Sequence, residues 1–449
     1  MNETVLEHES STVVRRGDFD KNFAWGVATS AYQIEGATTA GGRGESVWDR
    51  FCKVPGAIAD GSNGDLACDH YHRLEQDLDL IATLGVEHYR FSIAWPRVQP
   101  LGHGAWNEEG MAFYDRMIAG LTERGIKAHI TLNHWDFPQA LQDTGGWQDR
   151  DTCAHFVRYA SEIARRFGNR VASIVTHNEP WVVAVLGHEH GVFAPGIKSR
   201  AVAMQVSHHL LLSHGMAVQA MRKLNIRAEL GLVLNLSPIY PATASPEDVA
   251  KAKLDDGLIL RWYMDAVFKG HYPEDVLKHL GQDAPKMVAG DLQVINQAID
   301  FLGVNYYTRN FSSTGNPWDA KSSGAKVTDM GWEVYPQGLT ELLERLYRDY
   351  APKALVVTEN GAAFKDHIED GCVRDADRTD YFQKHIHACL QAVKRKVPLT
   401  GYFAWSLMDN FEWASGHAKR FGLIYVDYAT QRRIFKDSAH WYRIFLTGK

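Results

Sequence analysis

Two glutamates follow two short β-branched runs that lie far apart in the chain. Residues 173–176 lead to Glu179, and residues 355–358 lead directly to Glu359. Pro180 has no backbone N–H and cannot continue a β-ladder, so the first predicted strand ends at Glu179. Because the C-terminal ends of parallel strands converge, both carboxylates are expected in one pocket. Cleavage of a glycosidic bond uses such a pair, one as proton donor and one as nucleophile or base.

Each glutamate alone has a simpler interpretation. A glutamate that follows a strand is often a solvated rim residue or the N-cap of the next helix. Here Glu179 and Glu359 stand in matched settings, each beside an asparagine and a chain breaker. The matched settings favour the paired chemistry over two unrelated surface residues.

Arg90 interrupts an otherwise apolar predicted strand, HYRFSI, at residues 88–93. A guanidinium inside a barrel is unfavourable unless it is paired, and we expect Glu359 to be its partner. That pair would keep Glu359 ionised, as a nucleophile must be. Glu179 has no expected cation and lies near that negative charge, so its pKa is expected to be raised and its proton retained for acid catalysis.

Eight β-rich segments alternate with amphipathic segments along the chain. The predicted strands cover residues 23–28, 87–94, 127–133, 173–178, 228–236, 301–307, 354–358 and 400–406. The predicted helices cover residues 71–84, 108–124, 154–167, 202–224 and 377–396. This alternation predicts an α/β fold, a single (β/α)8 TIM barrel whose long βα loops form the active-site rim.

No Pro-, Gly- or Ser-rich linker divides the chain. We expect a flexible N-terminal extension at residues 1–18 and one catalytic domain at residues 19–449. Residues 310–335 are predicted to form a long rim loop rather than a domain boundary. After the last barrel strand, a hairpin at 422–427 and 431–435 and a helix at 438–446 are expected.

Amides, an imidazole, carboxylates and indoles follow the predicted strands. They are Gln33, Asn133, His134, Trp135, Asn178, Asn305, Tyr306, Tyr307, Trp405, Glu412 and Trp413. Amides and carboxylates bind pairs of hydroxyl groups, and indole faces contact the C–H side of a sugar ring. Ordinary core packing is the alternative for any single tryptophan. Their joint position at the strand ends favours a sugar pocket.

Composition limits the kinds of partner. The 449 residues carry a net charge of −6, with scattered basic residues, which argues against nucleic acid or an anionic membrane as partner. Five cysteines form no CxxC pair and leave one unpaired, so a reducing compartment and buried inert thiols are expected. The polar N-terminus does not resemble a signal peptide, and no apolar run is long enough for a membrane span. These features predict a cytoplasmic location.

The same residues lie in segments that resemble β-glucosidases of glycoside hydrolase family 1. The segments are FAWGVATSAYQIEG (23–36), YRFSIAWPR (89–97), NHWDFPQAL (133–141), THNEPW (176–181), NYYT (305–308), VTENG (357–361) and WSLMDNFEWASGHAKRFGLIYVD (405–427). The likeness runs from residue 19 to the C-terminus. His177, Phe137 and His417 differ from the residues usual in the family, which bears on aglycone preference and on the pH profile.

The resemblance implies a retaining β-glucosidase that acts on β-glucosides and short oligosaccharides such as cellobiose. It implies Glu179 as acid/base and Glu359 as nucleophile. Further implied roles are glycone binding by Gln33, His134, Asn178, Glu412 and Trp413, ring stacking by Trp405, support of the nucleophile by Arg90, Asn305 and Tyr307, and an aglycone entrance of Trp181, Leu186 and Trp332. Its substrate is a small β-glycoside, and no metal or organic cofactor is implied. Oligomeric state is not predicted.

Two other functions are compatible with parts of the sequence. His188 and His190 form an HxH pattern, as in metal-dependent barrel hydrolases, but those sites need several His and Asp residues from different strand ends. A non-catalytic sugar-binding protein would be expected to lack one of the two glutamates, and both Glu179 and Glu359 are present. Both alternatives are therefore less favoured than a glycosidase.

Overall fold

Eight parallel strands close into one barrel in the computed structural model, which describes residues 14–449. The strands are β1 (Ala24–Ala28), β2 (His88–Ser92), β3 (Lys127–Asn133), β4 (Ser173–Asn178), β5 (Glu229–Asn235), β6 (Phe301–Asn305), β7 (Leu355–Asn360) and β8 (Leu399–Trp405). Each strand pairs with its neighbours along the sequence, and β8 pairs with β1 to close the barrel, with Ala24 opposite Gly401. The predicted barrel and its eight strands are confirmed.

The strand ends differ from the predicted ones by a few residues. β7 continues beyond the predicted end at residue 358, so Glu359 lies inside the strand rather than after it. β6 ends at Asn305, before the predicted end at residue 307. The strand register aligns site residues, with Asn133 opposite His177 and Asn305 opposite Glu359. Polar residues of neighbouring strands therefore reach the same end of the barrel together.

Helices surround the barrel. The longer α-helices are Leu74–Leu84, Glu108–Glu123, Asp151–Phe167, Arg200–Arg222, Pro246–Asp256, Trp262–Lys269, Pro336–Tyr350, Ala376–Lys394 and Asp437–Thr447. The shorter ones are Ala31–Ile34, Val47–Phe51, Trp95–Val98, Gln139–Gln142, Glu274–Leu280 and Asp291–Ile295. Two π-helical segments, Val182–Glu189 and Gly257–Arg261, and four 3-10 turns, Arg16–Asp18, Gly146–Gln148, Gly281–Asp283 and Trp413–Ser415, complete them. The five predicted helices are confirmed.

Local sequence sets several helix ends. Ser245 precedes the helix Pro246–Asp256, and its hydroxyl accepts a hydrogen bond from the backbone N–H of Asp248. Proline at the first helical position has no N–H to leave unsatisfied, so it fits there. Gly85, with φ 79°, ends the helix Leu74–Leu84 in the left-handed region that glycine enters without strain.

The predicted rim loop at residues 310–335 contains one short strand. Asn310–Ser312 pairs in parallel with Ile239–Pro241, so the loops after β5 and β6 are joined. The predicted hairpin is present as Ile424–Asp427 and Arg432–Phe435, and the predicted last helix as Asp437–Thr447.

Both ends of the described chain lie against the start of the barrel. Arg16 Nη1 donates to the Leu446 carbonyl at 2.9 Å, and the Tyr442 hydroxyl donates to the Gly26 carbonyl at 3.0 Å. Residues 1–13 of the predicted extension lie outside the described residues, and Val14 is buried. The domain boundary at residue 18 stays a prediction. No helix within residues 14–449 has the length and apolar character needed to cross a membrane.

Candidate active site

Glu359 and Glu179 lie at the C-terminal end of the barrel, where parallel barrels place their active sites. Glu359 belongs to β7, and Glu179 immediately follows β4. Both are buried, with 3 % and 6 % of their surfaces exposed. Glu179 has φ 50°, a left-handed conformation that is rare for a residue with a side chain. Strained residues of this kind are held in place by their surroundings and cluster at functional sites.

Arg90 and Tyr307 hold the two oxygens of Glu359. Arg90 Nη1 donates to Oε1 at 2.6 Å, and the Tyr307 hydroxyl donates to Oε2 at 2.7 Å. Arg90 Nη2 donates to Asn178 Oδ1 at 2.7 Å. The predicted ion pair between Arg90 and Glu359 is therefore confirmed. Both oxygens of this carboxylate accept hydrogen bonds, so its position and orientation are defined by the protein.

Asn305 bonds Glu179 and the residue that precedes Glu359. Its Nδ2 donates to the Glu179 carboxylate and, at 3.0 Å, to Asn178 Oδ1. Its Oδ1 accepts from the Thr358 hydroxyl at 2.7 Å, which determines the orientation of the amide. Thr358 precedes Glu359 in the chain. The amide thus joins the end of β4 to the end of β7 across the pocket.

The environment of Glu179 favours its protonated form. Burial, more than the nearby negative charge of Glu359, raises the pKa of Glu179 to about 8, although the Asn305 hydrogen bond and Arg90 act in the opposite direction. The predicted direction of this pKa shift is confirmed. Its largest cause is burial rather than the neighbouring charge. A carboxyl of this kind can give up a proton at neutral pH, as a general acid must.

Aromatic rings form one wall of the pocket. The His134 ring stacks on the Trp405 ring, with centroids 5.9 Å apart, and on the Trp413 ring at 6.1 Å. Asn178 Nδ2 donates to His134 Nε2 at 3.2 Å, so the imidazole proton lies on Nδ1. His134 Nδ1 is buried and has no hydrogen-bond partner among the described residues. The N–H at Nδ1 is therefore a free donor, and a sugar hydroxyl can accept a hydrogen bond from it.

Gln33 and Glu412 form a polar part of the pocket wall, and Glu412 directly precedes Trp413 in the chain. Gln33 Nε2 donates to Asn410 Oδ1 at 2.9 Å and lies 3.4 Å from Glu412 Oε2. The Ser30 hydroxyl donates to Gln33 Oε1 at 2.6 Å. Burial, followed by the charge of Glu359, raises the pKa of Glu412 to about 8. The second carboxyl of the pocket wall therefore also favours its neutral form.

Two of the residues predicted at strand ends use their side-chain donors in hydrogen bonds to other residues of the protein. Asn133 Nδ2 is bonded to the His177 ring at 3.0 Å, and the Trp135 indole donates to the Asn178 carbonyl at 2.9 Å. Sequence reasoning missed Thr358, Ser30 and Asn410, which orient the amides of Asn305 and Gln33. Asn410 lies inside the WSLMDNFEW segment, but only the folded loop shows that it contacts Gln33.

Comparison with known proteins agrees with this geometry. The model of the family described as Glycosyl hydrolase family 1 matches residues 15–449. The chain belongs to glycosyl hydrolase family 1.

Relatives of this family 1 enzyme match nearly its full length. Beta-glucosidase A of Acetivibrio thermocellus is 47 % identical, and the alignment covers 95 % of this chain and 97 % of the relative. A bifunctional beta-D-glucosidase/beta-D-fucosidase of Bifidobacterium breve is 41 % identical over 95 % of this chain and 98 % of the relative. A Thermotoga maritima family 1 glycoside hydrolase, solved with a cyclophellitol analogue transition state mimic, is 42 % identical, with a TM-score of 0.92 over 95 % of this chain and 98 % of that one.

The loop that carries Glu412 in this family 1 enzyme is anchored by buried charges. Asp409, fully buried, accepts from Lys436 Nζ at 2.7 Å and from Arg420 Nη1 at 2.6 Å. Lys436 itself is also fully buried and extends from the segment that follows the hairpin. The segment that follows the C-terminal hairpin therefore supports the loop that carries Glu412.

The three residues of the predicted entrance are partly exposed. Trp181 directly precedes the π-helical segment Val182–Glu189, which begins shortly after Glu179, and Leu186 lies within that segment. Trp332 packs on Tyr307, with ring centroids 5.5 Å apart. Trp332 thus contacts the residue that holds Glu359.

The HxH pattern has a local structural use. His188 is buried, and its Nδ1 hydrogen-bonds to the Val183 carbonyl at 2.8 Å within the π-helical segment. Across residues 14–449, no three His, Cys, Asp or Glu side chains are grouped so as to hold a metal ion.

Proposed function

We propose that the protein is a retaining β-glucosidase that releases terminal non-reducing β-D-glucosyl residues from β-glucosides and short oligosaccharides such as cellobiose. One observation carries the proposal. Two buried carboxyls share one pocket in different settings, Glu359 paired with Arg90 and Glu179 held by an amide with its pKa raised to about 8. Double displacement needs this division between an ionised nucleophile and a protonated acid.

In the proposed first step, Glu359 attacks the anomeric carbon and a covalent glycosyl-enzyme forms. The bond from that carbon to the glycosidic oxygen breaks, and Glu179 gives its proton to the departing oxygen. In the second step, Glu179 removes a proton from water, which displaces Glu359 and releases the sugar with its β-configuration. Retention requires carboxyl groups about 5–5.5 Å apart, whereas inversion requires roughly 6.5–9.5 Å.

The pocket walls supply the proposed glycone contacts. Gln33, His134, Asn178, Glu412 and Trp413 would bind hydroxyls, and Trp405 would stack under the ring. The free Nδ1–H of His134 supports this assignment, because a buried donor needs an acceptor. Trp181, Leu186 and Trp332 would line the aglycone entrance, where partial exposure suits variable leaving groups. Asn305 and Tyr307 would keep the two carboxyls apart and oriented.

Stereochemistry tests the roles of both glutamates. Proton NMR during the first minutes of hydrolysis should show β-glucose before mutarotation. With azide, Glu359→Gly should form the α-glycosyl azide, and Glu179→Ala should form the β-glycosyl azide from a substrate with a good leaving group. Initial release of α-glucose would overturn both assignments.

The metal-dependent alternative has its own test. Carboxyl groups supply the nucleophile and the proton transfers of both steps. Dialysis against EDTA should therefore leave activity unchanged. Loss of activity that zinc or another divalent metal restores would favour a metallohydrolase instead.

The proposed setting is cytoplasmic, with a role in the breakdown of cellulose-derived oligosaccharides. All five cysteines are free, and Cys68, Cys153 and Cys389 are buried, which suits a reducing compartment. Small neutral β-glycosides fit the amide and indole lining better than a polyanion would. Fractionation of the native organism, followed by an activity assay on each fraction, tests the location.

A further inference from the structure

His177 is fully buried on β4, two residues before Glu179, and takes no part in the proposed chemistry. Its ring stacks on Phe156, with centroids 4.4 Å apart and an interplanar angle of 20°. The Trp147 ring meets it edge-on at 5.5 Å. Burial holds the pKa of His177 well below its ordinary range, and His214 acts in the same direction. The ring is therefore neutral, with one nitrogen that donates and one that accepts.

The hydrogen bonds of His177 define which nitrogen is which. The Ser213 hydroxyl donates its only proton to the Leu210 carbonyl at 2.8 Å. Ser213 Oγ, 2.9 Å from His177 Nε2, must therefore accept from that nitrogen. The other nitrogen, Nδ1, then carries a lone pair, and Asn133 Nδ2 donates to it at 3.0 Å. His177 thus determines which way the Asn133 amide faces.

Two further hydrogen bonds connect Asn133 to the peptide bond that precedes Glu179. Asn133 Oδ1 accepts from the Trp135 backbone N–H at 3.3 Å, and the Trp135 indole donates to the Asn178 carbonyl at 2.9 Å. Trp135 has φ 77° and Glu179 has φ 50°. Both are left-handed conformations that persist only where the surroundings hold them.

We propose that His177 is a positioning residue for Glu179. Its neutral ring sets the Asn133 amide, Asn133 holds the Trp135 backbone, and the Trp135 indole holds the peptide that leads into Glu179. The carboxyl is thereby presented to the leaving oxygen. This inference rests on the proposed function, since it takes Glu179 to be the acid.

Two substrates with different leaving groups distinguish a residue that positions the acid from one that only stabilises the fold. Cellobiose needs a proton on its leaving oxygen, whereas 2,4-dinitrophenol departs without one. His177→Phe keeps the stacked ring and removes both nitrogens. For this variant, kcat/KM for cellobiose should fall about 100-fold, the effect of misplacing a catalytic group by about 1 Å. For 2,4-dinitrophenyl β-glucoside, kcat/KM should fall no more than about threefold, because general acid assistance is not needed.

Two further variants complete the test. His177→Asn places an acceptor near the position of Nδ1, so it should restore much of the activity on cellobiose while lowering Tm through the space it leaves beside Phe156. His214→Phe is the matched control, since this buried histidine bonds the Thr176 hydroxyl at 2.7 Å and does not contact Asn133. His214→Phe should lower Tm and leave the ratio of the two kcat/KM values unchanged.

Equal losses on both substrates in His177→Phe would overturn the positioning role, as would a failure of His177→Asn to restore cellobiose hydrolysis. The proposed function fails separately, if the unmodified enzyme hydrolyses neither substrate. The two failures are thus distinguished by the unmodified enzyme alone.

Discussion

Arg90 and Glu359 pair across the barrel, although their strands are not neighbours. Arg90 lies on β2 and Glu359 on β7, and β1 and β8 separate those strands. The 2.6 Å contact between Arg90 Nη1 and Glu359 Oε1 is buried on both sides. The same guanidinium bonds Asn178, the residue before Glu179. One side chain therefore links the setting of the proposed nucleophile to that of the proposed acid.

Removing Arg90 should destabilise the fold and abolish most activity. Arg90→Met leaves Glu359 as a buried charge without a cation, and breaking a buried pair in this way costs about 3–5 kcal/mol. Denaturant unfolding of the variant should show that loss. The double variant Arg90→Met/Glu359→Gln removes both charges and should recover most of the stability. If the double variant is no more stable than the single one, the pair does not stabilise an ionised Glu359.

The activity of the enzyme should fall as pH rises through about 8. Glu179 must carry a proton to act as acid, and its pKa is raised to about 8. In the unmodified enzyme this basic limb should appear when kcat/KM is measured with cellobiose and should be nearly absent with 2,4-dinitrophenyl β-glucoside, whose leaving group needs no proton. The pKa of Glu412 is also raised to about 8, so Glu412→Gln is the control, and it should keep the limb. A rate that keeps rising through pH 9 would contradict the acid role.

Glu179 should also make the stability of the fold depend on pH, with lower stability at higher pH. Below the ordinary carboxyl pKa of 4.5 the residue is protonated in folded and unfolded chains alike. Between 4.5 and about 8 the unfolded chain ionises while the folded chain stays neutral, so stability falls as pH rises through this window. Glu179→Gln cannot ionise, so its Tm should fall less between pH 5 and pH 8, by about 2 °C or more. Identical pH dependence of Tm in both proteins would show that the folded-state pKa is not raised.

The surroundings of Glu412 should exclude phosphorylated sugars. The described residues place no lysine or arginine in contact with this carboxyl, and Glu359 lies close enough to raise its pKa. A 6-phosphate on the glycone would add negative charge to a pocket wall without a cation. Hydrolysis of 6-phospho-β-glucosides should therefore be at least about 100-fold slower in kcat/KM than that of unphosphorylated ones. Equal rates would show that Glu412 does not face that position.

We expect Glu412 to bind two glycone hydroxyls. Such a carboxyl leaves some tolerance for the configuration of the sugar at C4. β-Galactosides and β-fucosides should therefore be hydrolysed as side substrates, and a panel of nitrophenyl glycosides measures the ratios. Complete absence of both activities would remove Glu412 from the glycone pocket.

The barrel was predictable because its signals are local. β-branched runs that end at Pro180 or Gly361 define strand ends without knowledge of the fold. The helix Pro336–Tyr350 is not among the predicted helices, although Pro336 at its start and leucines at helical spacing are an equally clear signal. The short parallel pair of Ile239–Pro241 and Asn310–Ser312 had no such pattern, since it depends on two loops that meet only in the folded chain.

The contacts within the site were less predictable because they depend on barrel geometry. The pairing of Arg90 with Glu359 followed from the rule that a buried guanidinium needs a carboxylate. The bond from Asn305 to Glu179 spans β6 and β4, which are separated by β5, so it depends on barrel closure and strand tilt. Burial as the main cause of the raised pKa of Glu179 likewise appears only when the surrounding loops are in place.

The seam between β1 and β8 has a consequence for synthesis of the protein. β8 begins at Leu399, so a ribosome has translated the other seven strands before β1 can pair with its second neighbour. Until then β1 and β7 are open edges with unpaired N–H and C=O groups, which invite pairing with other nascent chains. Premature termination therefore yields aggregation-prone fragments rather than partial enzymes. An affinity tag placed C-terminal to β8 therefore excludes chains whose synthesis stopped before the barrel could close.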